Sequence, residues 1–307
     1  VSYKRPSGLI VRLNEEDPPS AICPLVHFAA ESRSVQTIAI ILSAFAKANL
    51  YDESLFLALN EAIARIDPKA LSAFDIGQLL HASAVLNFYD SSLVDSLLEA
   101  AMLLPLMHFS SSIVSKIAWS LAVFDVRDRR TLRWAFGMID RTAADMTDID
   151  LRQLHQFFYH CSRCDLAHPN KKLVKLCRDA FMRRSRNATV SRMQAEVTET
   201  FARMGEEPQG EWIHDESGYS VDILLKDRKV MVEVDGPVHF AFKTRKALGS
   251  TKMKRRHLQS HEGYRLVVIP YWEWNRQTCA GGGDEGDGGK RARYLRTKLE
   301  ALGEITG

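Results

Sequence analysis

Three stretches in the first half of the chain repeat one another closely enough to limit what it can fold into. LSAFAKANLYD (residues 42–52), LHASAVLNFYD (80–90) and AWSLAVFD (118–125) each run through small and apolar residues to a closing aspartate, and LHQFFYHCSRCD (154–165) is a looser fourth. The aspartates, Asp52, Asp90, Asp125 and Asp165, lie 38, 35 and 40 residues apart. From about residue 35 to 182 the apolar side chains recur every three or four positions, the period of helices buried along one face. A second apolar helix follows each aspartate, as at 54–65 and 91–104, and Asp is a good N-cap for it. Two helices in a period of 35–40 residues predict an α-helical repeat array, an α-solenoid in which each pair buries its apolar face against its neighbours. A non-repeating bundle with chance similarity is the alternative.

Past about Arg183 the pattern changes. A helix near 193–204 leads to β-branched runs at 211–214, 219–225, 229–235 and 264–270. A basic segment between the last two runs reads as a helix, capped by Ser250 or Thr251 and ended by Gly263. The expected divisions are an N-terminal extension (1–34), helical repeats (35–182), a small α/β domain (190–278), a flexible Gly-rich linker (279–290) and a basic C-terminal helix (291–307). With 46% hydrophobic and 26% charged residues the chain has globular composition, and no apolar run nears the ~20 residues of a membrane span. Five cysteines give no even framework, so a reducing compartment is expected. The sequence begins at Val1, which fits a mature or trimmed chain.

The formal charge of +3 conceals an asymmetry. Residues 1–168 hold 15 basic and 19 acidic side chains, net −4, and residues 169–307 hold 26 and 19, net +7. The C-terminal part is the one suited to a polyanion. Between 241 and 260 lie Lys243, Arg245, Lys246, Lys252, Lys254, Arg255 and Arg256 with no acid, and 171–192 holds eight cations, Arg183, Arg184 and Arg186 among them, against Asp179. One-sign blocks on folded elements suit a phosphate backbone. A merely solubilising surface is the plain alternative.

The hairpin carries the other informative arithmetic. A turn at 226–229 makes paired positions sum to 455, which sets Asp222 opposite Glu233, with Asp235 on the same face two residues on. Like charges so placed repel. A divalent cation, a shared proton or a cation from the following helix (Lys252, Arg255 or Arg256) must compensate them, and Glu196 or Glu199 on the preceding helix would add a fourth acid. The choice lies between a Mg²⁺ phosphodiesterase site, with Asp222 and Glu233 as ligands, and a neutralised structural cluster. Tyr271, Trp272 and Trp274 suit base stacking or core packing. Cys161 and Cys164 with His155, His160 and His168 lack a second pair at zinc-finger spacing. No phosphate-binding GxxxxGK, HExxH or nucleophile elbow occurs.

With those residues in view, the C-terminal region resembles a RAP domain, an RNA-binding module. The matching text is VDILL (221–225), VEVDGPVHF (232–240), LGSTKMKRRHL (248–258) and GYRLVVIPYWEW (263–274), about a third of the chain. The preceding repeats look like the arrays that accompany such domains in organellar RNA-binding proteins. RAP domains are similar in fold to PD-(D/E)xK nucleases. That resemblance implies the helix acid at Glu196, the strand acid at Asp222 and the E-x-K acid at Glu233, while Asp235 stands where the nuclease lysine belongs. It implies a mitochondrial RNA-binding protein acting on rRNA or transcripts, plausible as a ribosome component, without catalysis and without a cofactor. Its partners would be RNA and, through the repeats, other proteins of a ribonucleoprotein, with no membrane. A Mg²⁺-dependent ribonuclease and a protein-docking scaffold are the alternatives.

Overall fold

The computed structural model describes residues 2–4, 10–12, 34–186, 189–260, 263–279 and 287–302. Twelve α-helices occur among them, followed and interrupted in the C-terminal region by one four-stranded sheet. The chain divides into two compact units: Val1–Asp145 with Ala241–Gly249, and Met146–Phe240 with Ser250–Gly307.

In the first unit a short antiparallel ladder, β1 (Ser2–Lys4) and β2 (Ile10–Arg12), precedes six helices: α1 (Val35–Lys47), α2 (Glu53–Ala64), α3 (Ala73–Val85), α4 (Ser91–Leu103), α5 (Ser111–Val123) and α6 (Arg129–Thr142). The remaining residues of the expected N-terminal extension up to 33 lie outside the described ones. Helices α1, α3 and α5 pack in succession, and α2, α4 and α6 back them. Small residues permit the approach: a Cβ on Gly77 would stand 2.9 Å from Ile113 Cγ2. Equivalent positions of neighbouring repeats touch, as where Lys116 Nζ donates to Gln78 Oε1 at 2.8 Å and His81 packs on Trp119, both pairs 38 residues apart.

The helix ends show the repeat most clearly. Ser34, Ser72, Ser110 and Thr147 cap the first helix of each pair, their hydroxyls accepting the N–H of Thr37, Asp75, Ile113 and Asp150. Asp52, Asp90, Asp128 and Asn170 cap the second helices. Between them Asn49, Asn87, Asp125 and Asp165 adopt left-handed backbone, φ 51–59°. The following N–H reaches back five residues in each case: Leu50 to Phe45, Phe88 to Ser83, Val126 to Leu121 and Leu166 to Cys161. This is a Schellman ending that satisfies the last carbonyls. The repeat reading therefore holds, and its register changes. Asp125 and Asp165 are helix-terminating residues rather than caps, so the caps Asp52, Asp90 and Asp128 keep an even spacing of 38. Asp suits both the N-cap and the left-handed position, so residue type alone does not separate them.

The second unit contains α7 (Asp148–Ser162), α8 (Lys171–Ser185), α9 (Arg192–Arg203), β3 (Pro208–Ile213), β4 (Ser220–Leu225), β5 (Val230–Asp235), α10 (Gly249–Gln259, whose first residue belongs to the first unit), β6 (Arg265–Pro270), α11 (Tyr271–Cys279) and α12 (Asp287–Glu300). The sheet order is β3-β4-β5-β6, antiparallel except for the parallel β5–β6 pair that α10 connects. Strand β3 starts earlier than the β-branched run suggests: residues 208–210 pair with β4 in the same register as 212–213, on either side of left-handed Glu211 (φ 49°). Val197 and Phe201 of α9, Trp274 and Leu295 cover one face through Ile223, Val232, Val234 and Ile269. Leu258 of α10, with Phe181 and Trp212, covers the other through Tyr219, Leu224 and Met231. Of the expected linker, 280–286 lie outside the described residues, and α12 begins at Asp287. Among the described residues no helix is long and apolar enough to cross a membrane.

Candidate nucleic-acid interface

The β4–β5 register is the expected one, with Ile223 opposite Val232 and Leu225 opposite Val230. Asp222, Glu233 and Asp235 consequently lie on the Met231 face, beneath α10. Asp222 Oδ2 accepts the Val234 N–H at 2.6 Å. Lys254 Nζ meets Glu233 Oε2 at 2.6 Å, and Arg255 forks onto Asp235 through Nε (3.1 Å) and Nη2. His239 Nδ1 stands 3.3 Å from the second oxygen of Asp235. The compensating side chains are thus Lys254 and Arg255, not Lys252 or Arg256. Met253, His257 and Leu258 are buried, so α10 turns the intervening Lys254 and Arg255 toward the sheet edge while Lys252 stays exposed.

Burial and charge pull against each other in this knot. Burial pushes Glu233 up to about 8 against the pull of Lys254, and burial likewise raises Asp222. Burial opposes the Lys254 charge, but Glu233 and Asp222 outweigh it and hold its pKa up. Glu233 Oε1 is buried without a hydrogen-bond partner.

Glu196 is engaged elsewhere. Its carboxylate takes Arg192 (3.0 Å), Arg291 (3.1 Å) and Trp274 Nε1 (3.2 Å), and its pKa falls: its partial burial opposes the shift, but these donors outweigh it. Glu199 pairs with Arg203. The structure therefore unites Asp222, Glu233 and Asp235 and gives neither helix acid a bond to them. No cluster of three His, Cys, Asp or Glu suited to a metal occurs among the described residues. Cys164 approaches His160, at 3.9 Å, while His155 binds the Ser217 carbonyl.

The remaining cations fall in three places. On α10, Lys252 is exposed and Arg256 half-buried. On α8 and its C-cap Arg186, Lys171, Lys172, Arg184 and Arg186 are exposed, whereas Arg183 pairs with Asp148 at 3.3 Å and Lys175 with Asp179. Lys243, Arg245 and Lys246 sit on the Ala241–Gly249 loop of the first unit. Of the aromatic end, Trp274 is core, and Trp272 is half-buried with its ring edge-on to Phe240 at 4.5 Å.

Residues 232–279 match the profile of the RAP domain. The chain carries a RAP domain. The matched stretch opens on β5 and runs through α10, β6 and α11, so Glu233, Asp235, Lys254 and Arg255 all fall inside it. Asp222, on the preceding strand, falls outside. The chain is also similar to the RAP domain-containing protein, chloroplastic, of Oryza sativa subsp. japonica, 27% identical over 179 residues. That alignment takes in 55% of this chain and 28% of the rice protein. The sequence did not point to Lys254 as the Glu233 partner, nor to Asn49, Tyr51 and Asn87, which touch the RAP domain's basic loop. Only the alternation of Met253, His257 and Leu258 hinted at the first.

Proposed function

We propose that this is a non-catalytic RNA-binding protein that holds RNA by its backbone through the cations of the RAP domain and of α8. The observation that carries the reading is a stretch of seven cations without an acid, inside a RAP-domain match, from which Lys243, Arg245 and Lys252 stand exposed. Lys254 and Arg255 serve the fold, and Arg183 answers first to Asp148. Lys252, Arg256, Lys243, Arg245, Arg184 and Arg186 are the proposed contacts. The name of the rice relative supports an organellar home. Within that, we propose a mitochondrial matrix protein working on rRNA or transcripts, as a ribosome component or a processing factor.

The neutralised knot supports binding without cleavage. Glu233 is met by Lys254, Asp235 by Arg255 and His239, and Asp222 by the Val234 N–H, and the small α/β fold then serves as a frame for the basic surface. The test is RNA binding against salt, with EDTA or Mg²⁺. Six phosphate contacts on a single strand give a slope of log K against log salt of about −4, with no requirement for Mg²⁺. Mg²⁺-dependent cleavage abolished by Asp222→Asn or Glu233→Gln would establish the ribonuclease instead. A flat salt profile with protein captured in place of RNA would establish the scaffold.

A further inference from the structure

We propose that Ala241–Gly249 is a pre-set RNA-backbone contact carried by the helical unit. In it Lys243 and Arg245 face the phosphates, and Asn49, Tyr51, Asn87 and Lys246 position the loop. The inference rests on the RNA-binding reading and deepens it at two of the contacts already named, by saying what holds them in place.

The loop closes on itself. Thr244 N–H and Oγ1 both donate to the Ala241 carbonyl (3.0 and 2.9 Å), Lys246 N–H donates to Thr244 Oγ1 (3.2 Å), and Ala241 N–H donates to the Lys246 carbonyl (2.9 Å). This closure fixes Lys243 in left-handed backbone, φ 55°, which a side-chain-bearing residue adopts only where its surroundings hold it.

The loop is then fastened to the repeats. Phe242 N–H donates to the Asn49 carbonyl at 2.7 Å, and Asn87 Nδ2 donates to the Ala247 carbonyl at 3.3 Å. Asn49 and Asn87 occupy the same left-handed position of successive repeats, so the repeat spacing itself sets the two anchor points. Lys246 Nζ lies 3.4 Å from the Tyr51 ring centroid and 5.8 Å from that of Phe88. Its charge is spent on aromatic faces. Gly249 closes the far end with no clearance, since a Cβ there would lie 1.9 Å from the Ala84 carbonyl oxygen.

Lys243 and Arg245 are exposed to solvent, Lys243 Nζ lying 5.4 Å from the centroid of the Phe242 ring, which is itself 47% exposed. A tight loop that concentrates like charges without an acid among its residues is electrostatically suited to a polyanion. Because the loop backbone is already ordered, binding has only those two side chains left to fix. Its role is to position the RNA backbone rather than to read bases.

The experiment uses the full chain and a labelled single-stranded oligouridine of about 20 nucleotides, titrated over a range of salt. Lys243→Ala with Arg245→Ala should weaken binding about ten-fold and flatten the salt slope by about 1.4, roughly 0.7 for each lost phosphate contact. Asn87→Gly, which keeps the left-handed backbone and deletes only the anchor, should weaken binding about three-fold with the slope unchanged, and raise amide exchange across 241–249. Lys246→Gln should behave as Asn87→Gly does, and Lys246→Arg should restore the wild-type values. The inference is overturned if Lys246→Gln lowers the slope by a full contact, or if loosening the loop leaves affinity untouched. Normal binding by the Lys243/Arg245 double variant removes the loop site alone, whereas failure of the unaltered chain to bind RNA removes the function on which it rests.

Discussion

Replacing Lys254 with methionine keeps most of the side chain's volume and deletes its charge, leaving Glu233 in the sheet with neither oxygen partnered. Breaking one side of a buried ion pair costs about 3–5 kcal/mol. That is a large share of the 5–15 kcal/mol that holds an ordinary domain. For a unit of about 150 residues the melting temperature should fall by about 10 °C. The pH dependence gives a sharper signature. Glu233 already titrates near 8, above its ordinary value, and loss of Lys254 raises it further. Where a carboxyl is protonated in the folded protein and ionised in the unfolded chain, stability falls as pH rises, by up to about 1.4 kcal/mol per pH unit. Because Glu233 titrates near 8 in the unaltered protein, Lys254→Met and the wild type should share this slope below that pH. Above it the wild type levels off while the variant goes on losing stability, a difference that Glu233→Leu should erase in the double variant. Thermal denaturation of the three proteins at pH 6 to 9 measures this. A single variant that melts with the wild type, or one whose deficit does not widen above pH 8, would refute the ion-pair account.

Three other expectations follow from the structure. Burial holds His155 near pKa 4 against the raising pull of the Ser217 carbonyl. Between 6.5 and 4 the unfolded chain binds the extra proton, so stability should drop by about 3 kcal/mol across that window, and His155→Phe should flatten that part of a urea-denaturation profile. Asp128→Ala removes an N-cap and should cost about 1 kcal/mol, while Asp125→Gly, at a left-handed helix end, should be neutral or better; equal costs would return the cap to Asp125. Gly249→Ala must push back a backbone carbonyl and should cost about 2 kcal/mol, seen as faster amide exchange at 241–249 before any global change.

Local information made the helical pairs, the hairpin register and the common face of Asp222, Glu233 and Asp235 legible in the sequence, because each follows from a period or a turn length. The rotation of α10 about its axis was not legible. It depends on how Leu258 seats against Tyr219 and Met231, contacts made across the fold, and it decides that Lys254 rather than Lys252 meets Glu233. The true phase of the repeat was hidden because Asp serves two positions equally well. The loop anchors were hidden by distance: Asn87 and Ala247 are 160 residues apart, and nothing near either announces the other.

The shared helix endings have one further consequence. Every 38-residue segment brings its own hydroxyl to start its first helix, its own left-handed residue to stop it and its own side chain to start the second. No segment borrows these from its neighbour. A segment could accordingly be duplicated or lost as a cassette without leaving a frayed terminus at the junction, and the array's length is free to drift while the pitch of each unit stays the same.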